Sequence, residues 1–255
     1  MILSAMAALL RRASVLLALA ACALPAASHE TIRILTEEYP PFNYTENGKI
    51  TGLATEVVQA VLKEIGMEGQ IQSLPWARAY ETAKNSENVL IYAIHRSKER
   101  EKLFKWIGPI MPTNFYLFSW KSRKLQISDL QSARNLQIGT VNQDIGEQFL
   151  MQQGFALGRN LQSSGKYEQN YEKLKLGRID LWVMNELSAY HIARQNGDDP
   201  SHVLQKALFI PELSGNGNYM AFGLKTSDAL VERFRKGLES IKKNGTYDAL
   251  QKKWL

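Results

Sequence analysis

Residues 137–153 read QIGTVNQDIGEQFLMQQ: a short apolar run, Gln137–Val141, then a polar turn, Asn142-Gln143-Asp144, then an amphipathic stretch from about Gly146 to Gln153. The pattern predicts strand, turn and helix, with Asp144 available to cap the helix. The same order stands near the start of the chain. There Thr31–Leu35 predicts a strand, and Leu53–Ile65 sets Val57, Val58, Val61, Leu62 and Ile65 on one helical face before Gly66 closes it. Between the two copies, Val89–Ile94 is a continuous apolar run suited to a buried parallel strand. Further on, Tyr167–Leu176, Ile179–Met184 and Leu187–Gln195 predict helix, strand and helix, with Gly177 and Gly197 as breaks. Ser214–Asn218 reads as a flexible connection and Tyr219–Leu224 as a strand. Ser227 then caps a helix striped by Leu230, Phe234, Leu238 and Ile241, and Thr246 is expected to cap a last one ending at Trp254. Strands alternating with helices over this length predict an α/β protein with two parallel-rich sheets, hence two lobes.

Composition agrees with a folded chain: 255 residues, 45% hydrophobic and 22% charged, which excludes disordered, collagen-like and disulfide-built classes. Residues 1–28 carry no acid and place Arg11-Arg12 before the apolar run Ala13–Leu24, the pattern of a secretory signal peptide. Twelve apolar residues fall short of the roughly 20 that a spanning helix needs. Cleavage before His29 competes with a lipoprotein reading, in which Leu19-Ala20-Ala21-Cys22 makes Cys22 the lipidated first residue. Either way the expected location is periplasmic. Cys22 is the only cysteine, so no internal disulfide forms. The formal charge of +6 falls to +4 once Arg11 and Arg12 are removed, and an exported chain this mildly basic is not expected to bind nucleic acid.

Several chemistries lack their residues. His29, His95, His191 and His202 show no metal-ligand spacing, and neither a nucleophile elbow nor a phosphate loop nor a dinucleotide fingerprint is present. No metal or cofactor is expected.

Four motifs stand in order: Glu38-Tyr39-Pro40-Pro41-Phe42, Gly48-Lys49-Ile50-Thr51-Gly52-Leu53, Arg96-Ser97-Lys98-Glu99-Arg100, and the closing Leu238–Tyr247 stretch followed by Lys253-Trp254. Together they resemble the periplasmic solute-binding proteins of the polar amino acid type. The resemblance implies the two-lobed type II periplasmic-binding-protein fold, with two hinge strands and a ligand cleft between lobes. It places lobe 1 at residues 29–114 plus 216–255 and lobe 2 at 115–215. It further implies a monomer that binds a small polar, carboxylate-bearing ligand without altering it, then meets an ABC permease in the inner membrane.

By the same resemblance Arg100 holds the ligand's carboxylate, a task suited to the guanidinium fork. The plainer alternative is a surface arginine among Lys98, Glu99, Glu101 and Lys102. Arg96 lies beside it as a second cleft candidate. Tyr39 matches the aromatic that packs over the ligand, whereas Phe42 reads as core. Trp76 and Arg78 are expected at the carboxyl edge of the second strand, where ligands collect in sheets of this class. Asn142, Gln143 and Asp144 mark the lobe 2 strand-helix turn, where backbone donors at a helix start can bind an anion, with Asp144 alternatively serving only as the helix cap. Two departures stand out. His95 occupies the place of a serine or threonine, and beside two arginines it should be neutral. Asn185, followed by Glu186, stands where the family has the acid that binds an amino group, which widens the ligand class toward carboxylates and modified amino acids. Two alternatives remain at this level. One is a cyclohexadienyl dehydratase-like enzyme using Glu186 or Glu38 with His95; the other is a ligand sensor serving a membrane receptor.

Overall fold

The computed structural model describes residues 32–215 and 217–255. The signal segment 1–28, with Cys22, lies outside the described residues.

Strand β1 (Ile32–Thr36) leads through the β2–β3 hairpin (Tyr44–Glu46, Lys49–Thr51) into helix α1 (Leu53–Glu64). Gly52 stands at that entry with φ 109°, and a Cβ there would meet the Phe42 carbonyl oxygen at 2.4 Å, so only glycine fits. Val57, Val58, Val61 and Leu62 of α1 are buried as their spacing predicts, each contributing roughly 1.5–3 kcal/mol of apolar burial. Strand β4 (Gly69–Ser73), helix α2 (Trp76–Asn85), strand β5 (Val89–His95) and strand β6 (Phe104–Met111) follow. Every residue of β5 is buried, in keeping with its unbroken apolar run.

After Met111 the chain enters a second sheet: β7 (Phe115–Trp120), β8 (Ile138–Val141), α3 (Ile145–Gln152), β9 (Leu161–Ser164), α4 (Tyr167–Lys175), β10 (Leu181–Asn185), α5 (Glu186–Gln195), the short α6 (Pro200–Val203) and β11 (Leu204–Ile210). It then returns as β12 (Asn218–Gly223), α7 (Asp228–Lys243) and α8 (Thr246–Trp254), the last two packing on α1. The first sheet has the order β4-β1-β5-β12-β6 and the second β11-β7-β10-β8-β9. Strand β1 is parallel to β4 and β5, and β8 to β9 and β10. The strand arriving last, β12, is antiparallel to both β5 and β6 and lies between them.

The two crossings between sheets are tied to each other. Gly215 N–H donates to the Thr113 carbonyl at 3.0 Å, and Phe115 N–H to the Ser214 hydroxyl at 2.9 Å. Side chains bridge the lobes as well, the Tyr39 and Tyr167 rings standing 5.1 Å apart.

Local chemistry adjusts the expected boundaries. Asn218 is part of β12, not of the preceding connection: it is buried, pairs with His95 and Met111, and donates through Nδ2 to the Ala93 carbonyl at 3.0 Å. Ser227 caps α7 by accepting from Leu230 N–H. Thr246, however, is the first residue of α8, and the capping position belongs to Gly245 at φ 82°, a left-handed conformation that suits glycine.

Candidate ligand-binding site

Between the lobes lies a cavity of about 20 Å³, lined by Glu37, Tyr39, Trp76, Ala93, His95, Arg100 and Asn218 from the first sheet's side and by Phe115, Asp144, Ile145 and Tyr167 from the second's. The carboxyl ends of β1, β5 and β8 supply much of it, the edge where α/β sheets bind ligands.

Arg100 is the one arginine or lysine among the lining residues and is 1% exposed. Its guanidinium stands over the rings of Trp76 (5.3 Å) and Tyr80 (5.1 Å), which hold the plane of the fork. Its donors go to neutral acceptors: Nε to Gln148 Oε1 at 3.1 Å, and the terminal nitrogens to the carbonyls of His95 (3.3 Å) and Gln143 (3.2 Å). Among the described residues no carboxylate comes within ion-pair distance of it. A buried cation without an anion is costly, and burial pushes the Arg100 pKa down.

The Gln143 carbonyl is one point where the lobes meet. Gln143 sits at φ 59°, and its oxygen receives Trp76 Nε1–H at 2.8 Å and Arg100 from one lobe, with Gln148 Nε2–H at 3.2 Å from its own. Asp144 caps α3 by accepting from Glu147 N–H at 2.7 Å. Burial, reinforced by the Glu147 charge, raises its pKa to about 7. Glu37 is likewise buried and accepts from the Tyr167 hydroxyl at 3.4 Å; burial and then the Asp144 charge raise it well above the usual carboxylate range. His95 moves the other way, to about 4, through burial and the neighbouring Arg100, so its ring is neutral at pH 7. Three residues of the lining bury polar atoms that have no partner of good hydrogen-bond geometry among the described residues, Tyr39 OH, His95 Nδ1 and Asn218 Oδ1, with Ser188 beside Tyr39 and the His95 and Asn218 side chains beside each other. Buried polar atoms without a well-formed bond retain capacity for a water or a ligand group.

A family model for bacterial extracellular solute-binding proteins, family 3, matches residues 32–255. The chain belongs to this family. Relatives of this solute-binding protein include the arginine-binding extracellular protein ArtP of Bacillus subtilis (strain 168), 22% identical over 220 residues and covering 85% of this chain and 82% of ArtP. The L-cystine-binding protein TcyJ of Escherichia coli (strain K12) is 23% identical over 218 residues, covering 85% and 79%. Among solved structures, an ancestral arginine-binding protein bound to arginine superposes with a TM-score of 0.77 at 23% identity, over 88% of this chain and 98% of that one. The fold is therefore the two-lobed α/β architecture of periplasmic amino-acid-binding proteins.

Within this solute-binding protein the cavity gathers five of the ten residues expected from sequence: Arg100, Tyr39, His95, Trp76 and Asp144. The other five lie elsewhere. Arg96 pairs with Glu101 at 2.6 Å and stands over Trp106 and Tyr219, lining a wider groove outside the cavity. Arg78 and Asn142 are exposed. Asn185 is buried as the cap of α5, its side-chain oxygen accepting from Leu187 and Ser188 N–H. Glu186 pairs with Lys206, and Glu38 accepts from Thr45 and Ser73, so neither acid shares the cavity with His95.

Glu37, Tyr167 and Asn218 join the site without having been singled out. Glu37 and Glu38 are adjacent acids just beyond β1, where successive side chains point to opposite sides, so one of the two was bound to turn inward. Tyr167 begins α4 after β9 as Trp76 begins α2 after β4, an equivalence the sequence carries only once both strands are placed.

Proposed function

We propose that this chain is a periplasmic, monomeric receptor that captures an amino-acid-like molecule between its lobes and offers the closed form to an ABC permease in the inner membrane. The residues 29–114 with 216–255 form one jaw and 115–215 the other. The signal segment directs export, and no reaction follows binding. The observation that carries this reading is Arg100: a guanidinium buried at the cleft, held by two aromatic faces, whose own hydrogen bonds go only to neutral acceptors. A ligand carboxylate supplies the missing anion in bidentate geometry. A cavity of about 20 Å³ admits a water but not an amino acid, so the ligand enters while the lobes are apart, and its contacts to both lobes favour closure.

Calorimetric and thermal-shift titration of the purified protein with the twenty L-amino acids and L-cystine tests the reading. At least one binds, and Arg100→Ala weakens it by roughly 30- to 4,000-fold, the effect of about 2–5 kcal/mol for stripping one partner from a buried charged pair. Binding indifferent to Arg100→Ala, or a titrant recovered chemically changed, overturns it.

A further inference from the structure

Building on that reading, we propose that His191 is a pH-sensitive fastening of the two lobes, one that holds them together while its imidazole is neutral and lets them part when the ring takes up a proton. His191 lies on α5 in the second lobe and packs on Tyr44 of β2 in the first, the ring centroids standing 5.3 Å apart. Trp254 of α8 meets the same tyrosine edge-on at 6.5 Å, and Tyr44 is left 7% exposed. None of the three rings lines the ligand cavity. They form a contact between the lobes that is separate from the one at the Gln143 carbonyl.

Ring packing, without a hydrogen bond, holds this joint. His191 Nε2 and Trp254 Nε1 are both buried, and neither has a partner of good hydrogen-bond geometry among the described residues. A neutral imidazole can turn its bare nitrogen inward at the cost of one unmade bond, whereas an imidazolium carries a full charge and an N–H on both nitrogens. With no acceptor for the inner N–H, the charged ring is accommodated by moving into water, which takes α5 away from β2. The charges facing the ring leave this unchanged. Arg194, one turn along α5, repels an imidazolium; Glu46 of β2 attracts it, but Glu46 is exposed and its charge is screened by solvent. Tyr44 stays neutral, its pKa raised by burial and then by the Glu46 charge. Lys253, next to Trp254, is bound to Glu56 of α1. Among the described residues no charge of α4 or α6 acts on the ring.

Burial sets the direction of the effect. In the closed form desolvation, then Arg194, lowers the His191 pKa from its ordinary 6.5, with Glu46 offsetting part of the shift. With the lobes apart the ring stands in water and titrates near that ordinary value. The open form therefore binds the proton more readily, and closure releases it. Stabilisation of the closed form by His191 is fully present above about pH 6.5 and is lost as pH falls below that value. The receptor captures at neutral pH and lets go in acid. His95 acts in the same direction from within the cavity, and Glu37 and Asp144, whose pKa values are raised, act in the opposite one. The share of His191 is accordingly the difference between wild type and a variant that lacks its imidazole.

The test titrates wild type and His191→Phe calorimetrically with the twenty L-amino acids and L-cystine, at pH 7.5 and at pH 5. Phenylalanine keeps a ring against Tyr44 but cannot be protonated. For each compound that binds, the proposal expects the two proteins to agree within about threefold at pH 7.5, and wild type to lose more affinity on acidification than the variant, by about threefold or more. A second measurement leaves position 191 untouched: the His191 ring protons of the wild-type protein, followed by magnetic resonance, titrate at a lower pH when the protein is saturated with a binding amino acid than when it is free. Equal losses in wild type and His191→Phe overturn the proposal, as does a His191 ring that titrates at the same pH with and without the amino acid, and either result leaves the receptor and its Arg100 intact. Should His191→Phe fail to fold, the ring titration alone decides. If no amino acid binds at all, the function proposed above falls, and this inference with it.

Discussion

Replacing Trp76 with Phe removes one hydrogen bond across the cleft while keeping an aromatic face under Arg100. In the closed form Trp76 Nε1–H donates to the Gln143 carbonyl at 2.8 Å, joining the start of α2 to the turn before α3. A neutral hydrogen bond contributes about 0.5–1.5 kcal/mol net. The carbonyl is not orphaned by the change, because Arg100 and Gln148 still donate to it at 3.2 Å, so no additional desolvation penalty applies. The bond exists only when the lobes are together, so its loss falls on the closing equilibrium and reaches the ligand through linkage. The expected result is a 2- to 12-fold weaker dissociation constant. Calorimetry measures it. Small-angle scattering should show the unliganded variant no more compact than wild type, and a higher ligand concentration should be needed for contraction. An affinity for Trp76→Phe equal to that of the wild type, with equal compaction, would refute the view that this carbonyl fastens the jaws.

Arg100→Lys keeps the charge but not the two-pronged geometry or the stacking, and it should lose most of the affinity that Arg100→Ala loses in the same calorimetric titration. His95 titrates near 4 in the folded protein against about 6.5 when free, so its proton is bound more readily by the unfolded chain. Stability attributable to it is present above pH 6.5 and falls by about 3 kcal/mol as pH drops to 4. Comparing urea unfolding of wild type and His95→Gln over that range isolates the loss, which the variant lacks. Gly223→Ala should destabilise by about 1–3 kcal/mol, because a Cβ there would meet the backbone oxygens of Ala83 at 2.4 Å and Lys84 at 2.9 Å, which cannot move aside without distorting the end of α2. For a chain of this size that is roughly 2–4 °C of melting temperature per kcal/mol, read by scanning calorimetry.

Periodicity carried most of the architecture. The buried face of α1 and the apolar run of β5 were plain in the residues, because a period of 3.6 and an unbroken apolar run each follow from the geometry of the element alone. The motif around Arg100 located one wall of the cavity. What sequence could not show was pairing at a distance. Asn218 looked like the end of a glycine-rich connection, and only its seat between β5 and β6 makes it a buried cavity residue. Asn185 and Glu186 occupied promising positions, yet local hydrogen bonding with α5 and an ion pair with Lys206 direct them away. Glu37 was hidden beside Glu38, since which of two neighbouring acids turns inward depends on the pleat of β1 and not on residue type.

The position of β12 has a bearing on how the molecule comes into being. An interior strand drawn from the last forty or so residues means that the first sheet has a gap until translation is nearly complete, with the edge strand β6 lacking its one neighbour. The second sheet, drawn from one uninterrupted stretch, carries no such delay and can assemble while the tail is still being made. A nascent chain of this design can complete its second sheet before its first, although the first is the one begun earlier.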